Sequence, residues 1–188
     1  RSAEGEAYFA AMAAAANYAF NNRQQILAGV RDAFHAVCGI APRDVRLLYD
    51  VCHNIAKFED HPVDGKIKKL CVHRKGATRA YGKGAKELSA LFQGTGQPVL
   101  VPGDMGRASY LMAGLGNPLT WCSACHGAGR ARSRIKSMDA WKGKDLIAHM
   151  KSQGVMVLAS SKKTVAEEMP DAYKDVDAVC EATEEAGL

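Results

Sequence analysis

A chain of 188 residues, 47% hydrophobic and 24% charged, has the composition of an ordinary globular protein, which excludes disordered and fibrous classes. Its formal net charge of +5 permits a polyanionic partner without demanding one, and no apolar run approaches the roughly 20 residues that cross a bilayer. The opening Arg1-Ser2-Ala3-Glu4 lacks the charged-then-apolar pattern of a secretory signal, so the six cysteines read as reduced thiols of a cytoplasmic protein.

Residues 3–22 are alanine-rich, with Tyr8, Met12, Ala19 and Phe20 at helical spacing, and predict a helix with a small-residue face. Residues 24–38 predict a second helix through Ile26, Leu27, Val30, Phe34 and Val37, stopped by Gly39. Together they suggest a helical hairpin packed on a sheet, with His35 as a packing residue. After Pro42, Val45, Leu47, Tyr49 and Val51 alternate with other residues and predict a strand ending at Cys52-His53-Asn54. A strand end is rigid yet can face a cleft. His53 there is either a metal ligand, with Asn54 as a hydrogen-bonding partner for substrate, or a buried histidine satisfied by a backbone carbonyl. Asp64-Gly65 predicts a hairpin turn between 55–63 and 66–73, with Lys66, Lys68 and Lys69 on a solvated face.

Arg74, Lys75, Gly76 and Arg79 then follow closely, as a surface turn or as a clamp on a phosphodiester backbone. A polar passage, 82–96, holds a short helical stretch near 87–92. Pro98 to Pro102 predicts a buried strand running into Gly103-Asp104-Met105-Gly106, a tight turn suited to close ligand approach, and Ser109 resumes extended structure. In Cys125-His126-Gly127-Ala128-Gly129-Arg130 an imidazole stands beside backbone almost without side chains, whose N–H groups could cradle phosphate. Arg130 adds a forked cation. The motif reads as a nucleophilic or metal-bound histidine beside a phosphate nest, or as a loop histidine before a glycine-rich turn.

Arg132, Arg134 and Lys136 read as basic surroundings of a helix N-terminus. Residues 145–151 predict a helix closed by Gly154, 155–159 a strand, and the segment after Pro170 a helix running to Ala186. Without an internal repeat or a linker, the expectation is a single α+β domain over 1–188, mixed strands flanked by helices. Cys122-Ser123-Ala124-Cys125-His126 also fits the C-x-x-C-H pattern of c-type haem attachment, although the chain shows no export signal. Structural zinc would need a second cysteine pair, which is lacking.

The segments YDVCHNIAKFEDH, HRKGATRAY, GQPVLVPGDMGRASYLM, CHGAGRARSR and EEMPDAYKDVDAV, in this order, resemble the RtcB-type RNA-splicing ligases. The opening SAEGEAYFAAMAAAANYAFNNR resembles the helix that precedes those blocks, so the likeness covers essentially the whole chain. It implies a GTP- and Mn2+-dependent enzyme that joins RNA 3′-phosphate or 2′,3′-cyclic phosphate ends to 5′-hydroxyl ends. His126 matches the histidine that becomes guanylylated, and His53 matches a manganese ligand. Asn54 then lies beside the nucleotide phosphate. Pro102, Gly103, Asp104, Met105 and Ser109 match the turn that holds guanosine, Gly127, Ala128 and Gly129 line the nucleotide, and Tyr173 closes over the base. Arg74, Lys75, Arg79 and Arg130 fall where the family handles RNA phosphates.

The likeness also implies RNA and GTP as partners, an activating protein as a further one, and no membrane. Departures are equally specific. Family members are longer, and the metal-binding Asp, Cys and Asn-His-x-x-x-Glu segments of their front portion have no counterpart here. Asp104 and Arg107 stand where many members carry small hydroxyl residues. The expectation is therefore a C-terminal portion or a short relative, in which His53 alone cannot hold the metal pair. A non-catalytic RNA- or partner-binding fragment is the alternative.

Overall fold

The computed structural model describes residues 2–188. They form two compact units that meet in sequence between Lys75 and Gly76. The mixture of helices and short antiparallel strands agrees with the α+β expectation. Among the described residues no helix is long and apolar enough to cross a membrane.

The first unit begins with α1 (Ala3–Cys38), one continuous helix of 36 residues in place of the expected helical hairpin. No Gly or Pro interrupts Asn22-Arg23-Gln24, so nothing breaks the ladder there. Ser2 caps its start by accepting the Gly5 N–H, with Glu4 and Glu6 at the positive end. Gly39, at φ 70°, closes its other end. His35 is exposed, contrary to the packing role expected of it.

The expected strand at 45–51 does not form; among the described residues no strand pairs with it. Side chains of α1 hold this segment instead: Arg31 Nε donates to Val45 O at 2.9 Å and Arg23 Nε to Asp50 Oδ1 at 2.6 Å. The hairpin of β1 (Asn54–Val63) and β2 (Lys66–Lys75) forms as expected. Asp64 and Gly65 both take positive φ, 51° and 72°, the backbone that a two-residue turn of matching twist requires. One hairpin face meets α1 through Phe58 stacked on Phe9, His73 on Tyr8, and the Ala56 N–H on the Met12 sulfur.

The second unit pairs β3 (Ala77–Arg79) with β6 (Ser123–Cys125), and β4 (Pro98–Pro102) with β5 (Ser109–Ala113), both antiparallel. Strand β4 alternates instead of being wholly buried: Val99 and Val101 point inward and Leu100 outward. Its inner face, with Ala80, Ala124 and Ala128, packs on Val176 and Cys180 of α5 (Val176–Glu185). A second core joins Leu146 and Met150 to Val165, Ala166 and Met169. It gathers α2 (Arg134–Ala140), α3 (Leu146–Ser152) and α4 (Lys162–Glu167).

The expected strand at 155–159 is absent too. Val155 and Val157 pack on this second core while Met156 and Leu158 face solvent, but no partner strand is available. The helical stretch expected near 87–92 is reduced to a single 3-10 turn, Ala90–Phe92.

Candidate functional site

Pairing of β3 with β6 sets Ala77 opposite Cys125, so His126 is the first residue past the strand end. The half-buried imidazole lies against Gly76: a Cβ built there would sit 3.4 Å from Cε1 and 3.5 Å from Nδ1. Gly76 also holds φ at 70°, so that position provides both a turn and room for the ring. The following residues fold onto the end of β4, where the Ala128 N–H donates to Pro102 O at 3.0 Å. Gly127 packs on the same proline, and Ala128 is buried in the core.

Beyond Pro102 the chain turns sharply. Asp104 Oδ1 accepts the Gly106 N–H at 2.9 Å, and its side chain is wholly buried. Arg107 Nε lies 3.3 Å from Oδ2, within ion-pair range, but its N–H is not directed along that line. The contact is coulombic. Arg107 Nη1 reaches Lys174 O at 3.3 Å, and Gly106 lies against Pro170. Met105 packs against the second core, and Ser109 is exposed at the start of β5, opposite Pro102.

The third segment is 170–175. The Lys174 N–H donates to Gly129 O at 3.0 Å, and Arg130 forms an isolated bridge with Tyr173. Three stretches far apart in sequence, 102–107, 126–130 and 170–175, thus converge. Arg130 is the hub: its guanidinium donates to Glu167 O at 2.6 Å, to Tyr173 Oη at 3.1 Å and to Glu168 Oε1 at 3.4 Å. Its Cζ also lies 4.9 Å from the Tyr173 ring centroid. Arg130 is spent on the scaffold. The Tyr173 hydroxyl donates to Glu168 Oε2, and burial, followed by that hydrogen bond, pushes the phenol pKa above its ordinary value. Of Gly103, Gly127 and Gly129, only Gly129 faces open space; a Cβ on Gly103 would lie 2.3 Å from Ala108 O.

In the first unit, His53 and Asn54 stand at the start of β1, not at the end of a strand, and Asn54 faces Lys75 across the hairpin's open end. His53, Asn54 and Lys75 are exposed. Arg74 is buried and makes a bidentate pair with Glu59, both contacts at 2.8 Å, while His61 Nε2 approaches the same carboxylate at 3.1 Å. Arg79, in the second unit, lies over the Tyr81 ring at 5.7 Å.

Among the described residues no group of three or more His, Cys, Asp or Glu side chains could hold a metal ion. The residues present therefore do not fit a manganese site by themselves. In the C-x-x-C-H segment, Cys122 Sγ donates to Gly116 O and Cys125 Sγ lies 3.4 Å from Thr183 Oγ1 beside the core, so both thiols have partners within the protein.

Sequence reasoning missed Glu59, Glu168, Asp171 and the spacing role of Gly76. Alternation of Glu59 and His61 on one strand face was a readable signal. Asp171, which binds Arg132 Nη1 at 2.6 Å and Trp141 Nε1 at 3.0 Å, had none.

The profile of the tRNA-splicing ligase RtcB family matches residues 1–188. A tRNA-splicing ligase RtcB of Methanococcus maripaludis is 46% identical over 191 residues, covering 100% of this chain and 40% of that protein. One of Archaeoglobus fulgidus is 48% identical over 191 residues, with 100% and 40% covered. An RNA-splicing ligase RtcB of Mycobacterium tuberculosis is 49% identical over 188 residues, with 100% and 43% covered. The chain thus spans well under half the length of these relatives.

Proposed function

This chain belongs to the tRNA-splicing ligase RtcB family, and from that premise we propose that it forms the nucleotide-transfer part of a GTP-dependent RNA ligase. GTP occupies the convergence of 102–107, 126–130 and 170–175, with Pro102, Gly103, Asp104, Met105 and Ser109 on the guanosine side. Gly127, Ala128 and Gly129 lie along its phosphates, and Tyr173 by the base. A His126 ring nitrogen attacks the α-phosphorus, so a nitrogen–phosphorus bond forms and the bond to pyrophosphate breaks. The ring proton leaves to solvent. An RNA 3′-phosphate oxygen then takes the GMP and restores the imidazole. The 5′-hydroxyl attacks that activated phosphorus, GMP departs, and a phosphodiester remains. Lys75 and Arg79 meet RNA phosphates in this scheme; Arg74 and Arg130 act on them indirectly, through the scaffold they hold.

The carrying observation is the convergence of three separated segments beside His126 in a member of this family. Manganese enters only as a requirement that His53 cannot meet alone, so no step is assigned to it. The absent ligand cluster favours a second reading, RNA binding without metal chemistry. That reading predicts salt-sensitive RNA binding indifferent to GTP and manganese.

Two measurements test the first reading. Histidine-selective NMR of the chain titrated with GTP should move the His126 resonance and leave His35 still; an unmoved His126 overturns nucleotide binding at this loop. Incubation with labelled GTP and manganese should give at most weak covalent label, and none in His126→Ala. Strong label that survives His126→Ala overturns the nucleophile.

A further inference from the structure

A cavity of about 600 Å³ in the second unit opens beside Trp141 and is lined by Lys142, Lys144, Lys162 and Lys163, with Met138 and Leu146 among its apolar residues. Its acidic lining residue is Asp145, whose Oδ1 already accepts the Ala148 N–H at 3.1 Å as the cap of α3. All four lysines are exposed, and none forms an ion pair among the described residues. The nearby arginines differ: Arg130, Arg132 and Arg134 each have a carboxylate. Four unpaired ammonium groups around one cavity repel one another and attract a polyanion.

The floor of the cavity is aromatic and fixed. Trp141 is half-buried against the second core, its Nε1–H is held by Asp171 at 3.0 Å, and His149 leans on it at 4.8 Å between centroids. Lys144 Nζ lies 5.0 Å from the indole centroid. A rigid indole edged with mobile ammonium groups provides what single-stranded nucleic acid requires, a platform for one base and cations for the flanking phosphates. Asp171 also binds Arg132, on the same run of chain as His126, and the Ala131 and Arg132 N–H groups both bond to Ala172 O. The cavity is therefore tied to the loop of the proposed reaction through a short chain of direct contacts.

We propose that this cavity is a second RNA-contact site, distinct from the proposed GTP site beside His126, which stacks an unpaired base on Trp141 and grips neighbouring phosphates with Lys142, Lys144, Lys162 and Lys163. The inference rests on the reading of the chain as acting on RNA. It names the substrate form as single-stranded next to the reacting end, since a paired base cannot reach the indole.

The test uses a short single-stranded RNA with a 3′-phosphate and the intrinsic fluorescence of the two tryptophans, Trp121 and Trp141. RNA should quench the wild type and Trp121→Phe, and leave Trp141→Phe without the quench. Lys162→Ala/Lys163→Ala, at two exposed positions, should weaken binding several-fold and lower the slope of log affinity against log salt by about 1.4, at roughly 0.7 per phosphate contact. A quench that persists in Trp141→Phe, or an unchanged slope in the lysine variant, overturns the site. So does displacement of the RNA by inorganic polyphosphate of equal charge at equal strength, which would leave the base no role. Trp141→Phe separates the two claims. A His126 resonance that still responds to GTP while the RNA quench is lost is the expected pattern, whereas a wild-type chain whose His126 responds to GTP without any RNA quench sinks this site alone.

Discussion

Arg74 offers the sharpest test, because sequence and structure give it different jobs. As an RNA clamp it could be removed with loss of affinity and little loss of stability. In the structure its side chain is 2% exposed and paired with Glu59, itself 7% exposed, through two contacts of 2.8 Å. Breaking a buried pair by removing one partner costs about 3–5 kcal/mol, since the other charge stays behind without compensation. Replacing both by apolar residues of similar volume is close to neutral. Arg74→Met should fall at the lower end of that range, because His61 still approaches the Glu59 carboxylate at 3.1 Å. Glu59→Leu should fall at the upper end, and Arg74→Met/Glu59→Leu should recover most of the loss. With a urea slope of roughly 2 kcal/mol per M, Arg74→Met lowers the unfolding midpoint by about 1.5 M and Glu59→Leu by about 2.5 M. Far-UV circular dichroism through a urea series measures it. A wild-type midpoint in Arg74→Met, together with weakened RNA binding, would refute the ion-pair account and restore the clamp.

Three other outcomes follow from the same geometry. Tyr173 is held above its ordinary pKa by burial and then by its bond to Glu168, and Tyr110 by its bond to Asp177. Since the folded values are raised, the stability these phenols contribute is whole below about pH 10 and is lost as pH rises through the folded values. Alkaline absorbance titration should lose a late phenol in Tyr173→Phe and another in Tyr110→Phe; loss of an ordinary phenol in either variant would contradict this. Gly103→Ala sets a methyl 2.3 Å from Ala108 O, a backbone atom that cannot yield, and should cost about 3 kcal/mol. Gly129→Ala meets open space and pays only for its φ of 74°, about 1 kcal/mol; equal melting points for the two variants would refute the distinction. Met150→Ala, at a fully buried site between α3 and its neighbours, should cost about 2–5 kcal/mol in the same melts, and a loss under about 1 would show that the second core collapses around the gap.

What could be read in advance was whatever local chemistry decides. Asp64-Gly65 required a turn with positive φ, and the β1–β2 hairpin follows. Pro98 to Pro102 and the glycine turn after it were equally plain. The failures share one cause. Segments 45–51 and 155–159 have the alternation of strands, but a strand exists only with a partner, and none lies beside either. Conversely, 3–22 and 24–38 predict two helices, yet nothing at Asn22-Arg23 breaks the helical ladder. At the candidate site, the loop of His126 and the turn after Pro102 were legible from their glycines. That a side chain at Gly103 would strike the Ala108 carbonyl was invisible without coordinates.

The same limit governs the basic residues, and it changes where RNA should be sought. A sequence lists cations but does not say which are already neutralised. Arg23, Arg74, Arg107, Arg130, Arg132 and Arg134 all have carboxylates within ion-pair distance, so the arginines prominent in the motifs chiefly fix backbone and aromatic groups. Lys75, Lys142, Lys144, Lys162 and Lys163 are exposed and outside any such pair among the described residues. Phosphate attraction that remains to be satisfied in the second unit therefore resides chiefly in lysines, several of them away from the glycine loop, together with Arg79. Lysine contacts are point charges that act on phosphate regardless of base, so binding should fall steeply with salt. In the proposed RNA complex, selectivity for unpaired RNA comes from an aromatic group, and Trp141 is the one that Lys142, Lys144, Lys162 and Lys163 surround.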